Sequence, residues 1–158
     1  MKQTKTNVMR ILEQNKIPYE AHPYDISRLD AVHAADDLGV PRTRLFKTLV
    51  TVANDGRHFV FLIPSDATLH LKRAAQAAGV KGVSMLPQKE LLPLTGYIHG
   101  GCSPIGMKKS FPTFVDESAA AQETIYFSAG KIGVMVEVAP QALLSLVGAR
   151  YAAGLTEM

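Results

Sequence analysis

The stretch that most constrains the fold is "LFKTLVTVANDGRHFVFLIP", residues 45–64. Two runs rich in β-branched and aromatic residues flank Asn54-Asp55-Gly56. Such a turn tolerates positive φ and reverses the chain, so the pattern predicts an antiparallel hairpin. Shorter segments of both kinds surround it. "TNVMRILEQNK" predicts a helix capped by Thr6 or Asn7, with Val8, Ile11 and Leu12 on one face. "KIPYEAHPY" reads as a strand with Ile17, Tyr19 and Ala21 on one side, and "LDAVHAADDLGV" as a helix capped by Asp30 and ended by Gly39. "LHLKRAAQAAGV" is a helix stopped by Gly79, followed by a short strand at "VSML" and a helix near Pro87. "PTFVDE", "TIYFS" and "VMVEV" are further strands, and "APQALLSLVG" is a last helix ending at Gly148. Hairpins interrupted by short helices give an α+β chain with a mixed, mostly antiparallel sheet. Regular βαβα alternation is absent, which excludes a doubly wound nucleotide fold. At 158 residues the chain, 1–158, is expected to be one domain.

Composition narrows the function. No apolar run approaches the length of a membrane span, and no secretory signal opens the sequence. The single cysteine excludes an internal disulfide framework and suits a reducing, cytoplasmic setting. Seventeen Lys plus Arg against fourteen Asp plus Glu give a net charge of +3. That is too little for a DNA-coating protein, yet enough for basic residues near glycine loops to meet a few phosphates.

"GYIHGGCSPIGMKKSFPTF", residues 96–114, holds that cysteine, three residues after His99. Short spacing alone supplies no catalytic geometry, and the surroundings match no cysteine-protease signature, so Cys102 is expected to pack. Gly101 and Gly106 stand at phosphate-loop spacing, but Met107 occupies the place of the obligatory lysine and Pro112 interrupts the next helix. An NTPase is excluded on that ground. Clustered glycines still leave backbone N–H groups able to receive an anion or developing oxyanion. "SAGKIG" forms a second such loop: Ser128 ends a strand, Gly130 and Gly133 turn the chain, and Lys131 projects from the turn. Lys47, set among Leu45, Phe46, Leu49 and Val50, is a partly buried ammonium in want of an anionic or carbonyl partner. The five histidines show no metal-binding spacing, so neither a metal nor another cofactor is expected.

Taken together, "LFKTLV", "TGYIHGGCSPIGMKKSFPTFVDE" and "IYFSAGKIG" resemble the YbaK/EbsC proteins, free-standing aminoacyl-tRNA editing domains similar to the insertion domain of bacterial prolyl-tRNA synthetases. The likeness runs over nearly the whole chain. It implies a curved mixed sheet with surrounding helices, and release of a wrong amino acid from tRNA, best known for cysteine on tRNA(Pro). It implies catalytic roles for Lys47, Gly101 and Ser128, and substrate contacts from Tyr19, Phe46, Thr48, Gly100, Ser103, Gly130 and Lys131. The partners implied are the acceptor end of an aminoacyl-tRNA and a prolyl-tRNA synthetase in a ternary complex, with no DNA and no membrane. Two positions depart from the family pattern: Ile132 stands where arginine is common, and Met135 where Asp or Gln is usual.

The resemblance also implies that the reacting thiol belongs to the substrate, whose sulfur attacks its own ester carbonyl while the protein orients it. Water-driven deacylation of alanyl- or another mischarged tRNA, and a non-catalytic tRNA- or synthetase-binding module, are the competing readings. A hydrolase using Cys102 and His99 is the most remote.

Overall fold

A computed structural model of the chain describes residues 5–25 and 31–157. In chain order the elements are α1 (Asn7–Gln14), β1 (Glu20–Pro23), α2 (Ala31–Leu38), β2 (Phe46–Ala53), β3 (His58–Pro64), α3 (Leu71–Ala78) and β4 (Val83–Met85). They continue with α4 (Gln88–Thr95), β5 (Thr113–Asp116), a 3₁₀ turn (Glu117–Ala121), β6 (Ile125–Ser128), β7 (Val134–Val138), α5 (Pro140–Val147) and β8 (Arg150–Ala152).

The hairpin forms as its turn chemistry dictates. β2 and β3 pair antiparallel from Phe46 opposite Pro64 to Val52 opposite His58, and Gly56 closes the turn at φ +89°. Around it lies a five-stranded sheet in the order β4-β2-β3-β5-β8, in which β5 runs parallel to both β3 and β8. A separate three-stranded antiparallel sheet has the order β1-β7-β6. One bridge joins the sheets: the Tyr126 N–H donates to the Arg44 carbonyl at 3.0 Å, pairing Leu45 with Tyr126. The fold class is α+β, as expected, with the sheet divided in two.

The period of two explains how β3 sits at the centre. Val60 and Leu62 face a core formed with α1, α5 and the smaller sheet, through Val8, Leu12, Phe127 and Leu143. Phe59, Phe61 and Ile63 face the opposite core against Leu69, Ala74 and Leu155. A third cluster sets Ala34 and Ala35 of α2 on Leu45, Tyr126 and Met135.

Three local expectations need correction or qualification. Ile17 and Tyr19 lie outside the first strand, because the chain is still ending α1. Lys16 takes φ +57° and the Ile17 N–H donates back to the Leu12 carbonyl at 2.9 Å, a left-handed helix exit. β8 was not anticipated; its three residues gain stability from parallel pairing with β5, a partner more than thirty residues earlier. The expected cap Asp30 lies outside the described residues.

Candidate functional site

The site grows from a gap in the edge of β2. Alternate residues of a strand direct their N–H and C=O groups to the same side. The carbonyls of Arg44 and Val50 accept from Tyr126 and Leu86, both away from β3. The backbone groups of Phe46 and Thr48 therefore also point away from β3, between the start of β6 and the end of β4. β4 pairs only with residues 51–53, so among the described residues no strand covers Phe46 and Thr48 on that edge.

A cavity of about 370 Å³ occupies this gap. Its polar wall comprises Lys47, Thr48, Ser65, His99 and Ser128, with backbone from Gly100. Phe46, Leu49, Leu91, Met135, Tyr24 and Cys102 supply much of the apolar wall. A mostly apolar cavity with a few convergent polar groups is what a small-ligand site requires.

Lys47 is half-buried and stands on the α3 face of β2, opposite Ile63. The apolar core on that face includes Ile63, directly across from Lys47, with Leu49 packed against it.

The two glycine loops meet. A Cβ placed on Gly101 would lie 3.2 Å from the Ile132 nitrogen and 3.4 Å from the Lys131 carbonyl carbon. Glycine at 101 is therefore what lets one loop rest on the backbone of the other. The Gly101 N–H itself donates to the Ile98 carbonyl at 3.0 Å, so that amide is taken up by the turn. Among the described residues the Gly100 and Cys102 N–H groups have no such partner, and both residues line the cavity.

Ser128 is buried, and its Oγ accepts the Gly130 N–H at 3.1 Å. Its hydroxyl proton remains available to a group in the cavity. Burial pushes the Cys102 thiol up to about 12, which leaves it protonated at neutral pH. Cys102 is thus a packed cavity-wall thiol without the lowered pKa of a nucleophile.

Sequence reasoning brought Lys47, Phe46, Thr48, Gly100 and Ser128 to this cavity, and the structure gathers them there. Five other expected site residues stand outside its lining: Gly101, which serves the contact between the loops, and four expected substrate contacts. The Tyr19 hydroxyl donates to Glu13 at 2.6 Å, beyond the strand; burial, then that bond, pushes its pKa up to about 12. Ser103 is fully buried and its Oγ accepts the Ile105 N–H, shaping the loop from within. Gly130 is wedged against Val8 and Tyr97, and Lys131 projects into solvent. Tyr24, Ser65, Leu91 and His99 were missed as lining residues. His99 directly precedes Gly100 in the first glycine loop, whereas long-range pairing brings in Tyr24: its N–H donates to the Gly133 carbonyl, extending β1 along β7.

Met135 lies opposite both Ser128 and His22 in the smaller sheet. Beside it, Glu20, His22 and Glu137 bring potential ligand atoms within 4.8 Å of one another. Glu137 is already engaged by Thr124, by His22 at 2.9 Å and by the Arg44 guanidinium at 3.4 Å. A guanidinium on that carboxylate fits a structural ion-pair network better than a cation site.

With this geometry established, comparison with known proteins is decisive. The model of the aminoacyl-tRNA editing domain family matches residues 28–146. The chain belongs to the aminoacyl-tRNA editing domain family. This editing domain is 49% identical over 152 residues, covering 95% of the chain and 93% of the relative, to EbsC of Enterococcus faecalis, which carries the provisional name Cys-tRNA(Pro)/Cys-tRNA(Cys) deacylase. It is 29% identical over 109 residues, 68% of the chain, to a proline–tRNA ligase of Acidithiobacillus ferrooxidans, but covers only 19% of that longer protein. A crystal structure described provisionally as a trans-editing enzyme for prolyl tRNA synthetase superposes with a TM-score of 0.84 at 25% identity, over 98% of this chain and 100% of that one. Among the described residues, no helix of the editing domain is long and apolar enough to cross a membrane.

Proposed function

We propose that the protein is a trans-editing deacylase that releases cysteine from mischarged Cys-tRNA(Pro). The observation that carries this reading is the conjunction in one cavity of Lys47, Ser128 and a Gly100 amide without a partner among the described residues, with a cysteine held protonated. The family assignment and the similarity to EbsC support the class of reaction and the substrate.

In the proposed reaction the substrate's thiol attacks its own ester carbonyl. A C–S bond forms, the bond from the carbonyl carbon to the tRNA 3′ oxygen breaks, and the thiol proton passes to that oxygen. The products are a cyclic thioester and free tRNA. Intramolecular attack gains from proximity, although a strained four-membered ring yields less than the roughly 10⁵ M effective molarity of good cases. The protein's task is then to bend the substrate and stabilise the oxyanion. Lys47 binds the carbonyl or the terminal phosphate. Ser128 donates to the aminoacyl adenosine, the Gly100 and Cys102 amides face the developing oxyanion, and Gly101 sets the loop contact that aims them. Met135, Leu91 and Phe46 form an apolar wall suited to a small thiol side chain. No protein nucleophile is needed. The enzyme works in the cytoplasm, with prolyl-tRNA synthetase supplying tRNA selectivity in a ternary complex.

The test is a deacylation panel of Cys-, Ala- and Ser-tRNA(Pro) with wild-type and Cys102→Ala protein. Rapid loss of cysteine alone, retained by Cys102→Ala, is expected. Equal cleavage of the alanyl ester would establish water attack, and loss of activity in Cys102→Ala would restore a protein nucleophile.

A further inference from the structure

The cavity adjoins a second concavity. Lys47 and Leu49 line both the cavity and a groove of about 520 Å³, which continues over Thr68, His70, Leu71, Lys72 and Met85. We infer that this groove, on the α3 face of β2, holds the single-stranded nucleotides that precede the terminal adenosine of the RNA. The inference rests on the proposed editing function: a polymer whose last residue occupies the cavity must leave through a surface continuous with it.

Three features fit single-stranded RNA. The first is charge. Lys72 lines the groove from the first turn of α3, which contains no acid. A cation at the positive end of a helix is unfavourable unless an anion lies nearby. Lys47 adds a further charge at the junction with the cavity. The second is hydrogen bonding. The His70 Nδ1 accepts the Arg73 N–H at 3.2 Å, which places the proton of the neutral ring on Nε2, a donor for phosphate or base. The third is apolar surface. Leu71 is 39% and Met85 44% exposed, and both line the groove. Strand-tracking sites pair a basic groove with aromatic rings on which bases stack, and His70 lines this groove beside the two apolar side chains. Among the described residues Glu157 is the groove's single acidic lining residue, and it is exposed. It weakens the positive field there without cancelling it.

The experiment uses the full chain and three probes: an uncharged single-stranded RNA ending in CCA, Cys-tRNA(Pro), and 3′-O-cysteinyl adenosine, which ends where the groove begins. Lys72→Glu should weaken RNA binding and raise KM for Cys-tRNA(Pro), each about tenfold, with kcat preserved. The adenosine ester should not register the change. Lys72→Ala should flatten the dependence of log affinity on log salt by about 0.7, and Glu157→Gln should tighten RNA binding. Met85→Ser tests the apolar contribution separately and should also weaken RNA binding. Unchanged RNA affinity and KM in both Lys72→Glu and Met85→Ser would overturn the inference. So would an equal loss on the adenosine ester, which would trace the effect to the cavity itself. If wild-type protein cleaves neither ester, the editing proposal fails, and RNA binding alone then decides the groove.

Discussion

Gly101→Ala tests how the site is built. The added Cβ would stand 3.2 Å from the Ile132 nitrogen and 3.4 Å from the Lys131 carbonyl carbon, both backbone atoms that no rotamer change can move aside. Overpacking of this kind costs about 1–3 kcal/mol. The low end applies, because the closest contact calls for a shift of only a few tenths of an ångström. For a chain of 158 residues, each kcal/mol lowers Tm by about 2–4 °C. Thermal unfolding should therefore show a fall of about 2–4 °C. The catalytic effect should be larger in proportion, because the loop that yields carries the Gly100 and Cys102 amides. A 1 Å misplacement can cost about a hundredfold in rate, so a smaller shift should lower kcat/KM about tenfold. Gly82→Ala is the matched control: a Cβ there meets nothing within 4 Å, and no positive φ restrains it. Melting and deacylation of both variants should be measured together. Wild-type Tm and turnover in Gly101→Ala would refute the idea that contact between the loops sets the site.

Other outcomes follow from the same geometry. Lys47→Ala should reduce deacylation by at least about a hundredfold while leaving the melting transition cooperative, since it removes a half-buried charge from the cavity wall; substantial turnover by the folded variant contradicts its assignment. With its pKa near 12, Cys102 is thiolate in only about one molecule in 10,000 at pH 8, so iodoacetamide should leave the native protein unlabelled. Burial raises both this thiol and the Tyr97 phenol, again to about 12. Their contribution to stability is complete below the unfolded pKa values and is lost as pH rises toward 12, and urea unfolding of Cys102→Ala should lose part of that alkaline decline. At the acid end, burial works to raise the Glu137 pKa, but hydrogen bonds from Thr124 and His22 hold it below the usual carboxylate range. Its stabilisation is present above that range and fades as pH falls through the lowered value, so Glu137→Gln should flatten the acid limb of the stability profile.

Local chemistry made much of the fold legible. Asn54-Asp55-Gly56 forced a reversal whatever lay around it, and Gly79 and Gly148 ended helices that apolar spacing had begun. Features resting on distant partners were not legible. The joining of the two sheets depends on Tyr126 meeting Arg44, and β8 depends on β5 being present. The candidate site divides in the same way. Lys47 stood out as a charge inside an apolar strand, and Ser128 as the residue closing a strand before a glycine turn. Tyr24 did not stand out from Tyr19, because only pairing of β1 with β7 decides which ring reaches the cavity. Gly101 was identified as important, but its contribution is close approach to Ile132, with its own amide spent on Ile98.

The account depends on the attacking atom arriving with the substrate. The most direct measurement compares single-turnover cleavage of Cys-tRNA(Pro) with that of the same tRNA carrying S-methylcysteine, whose sulfur has no proton to give. The cysteinyl ester should be consumed rapidly and the methylated ester should persist at the rate of spontaneous hydrolysis. Comparable enzymatic cleavage of the two would contradict the account.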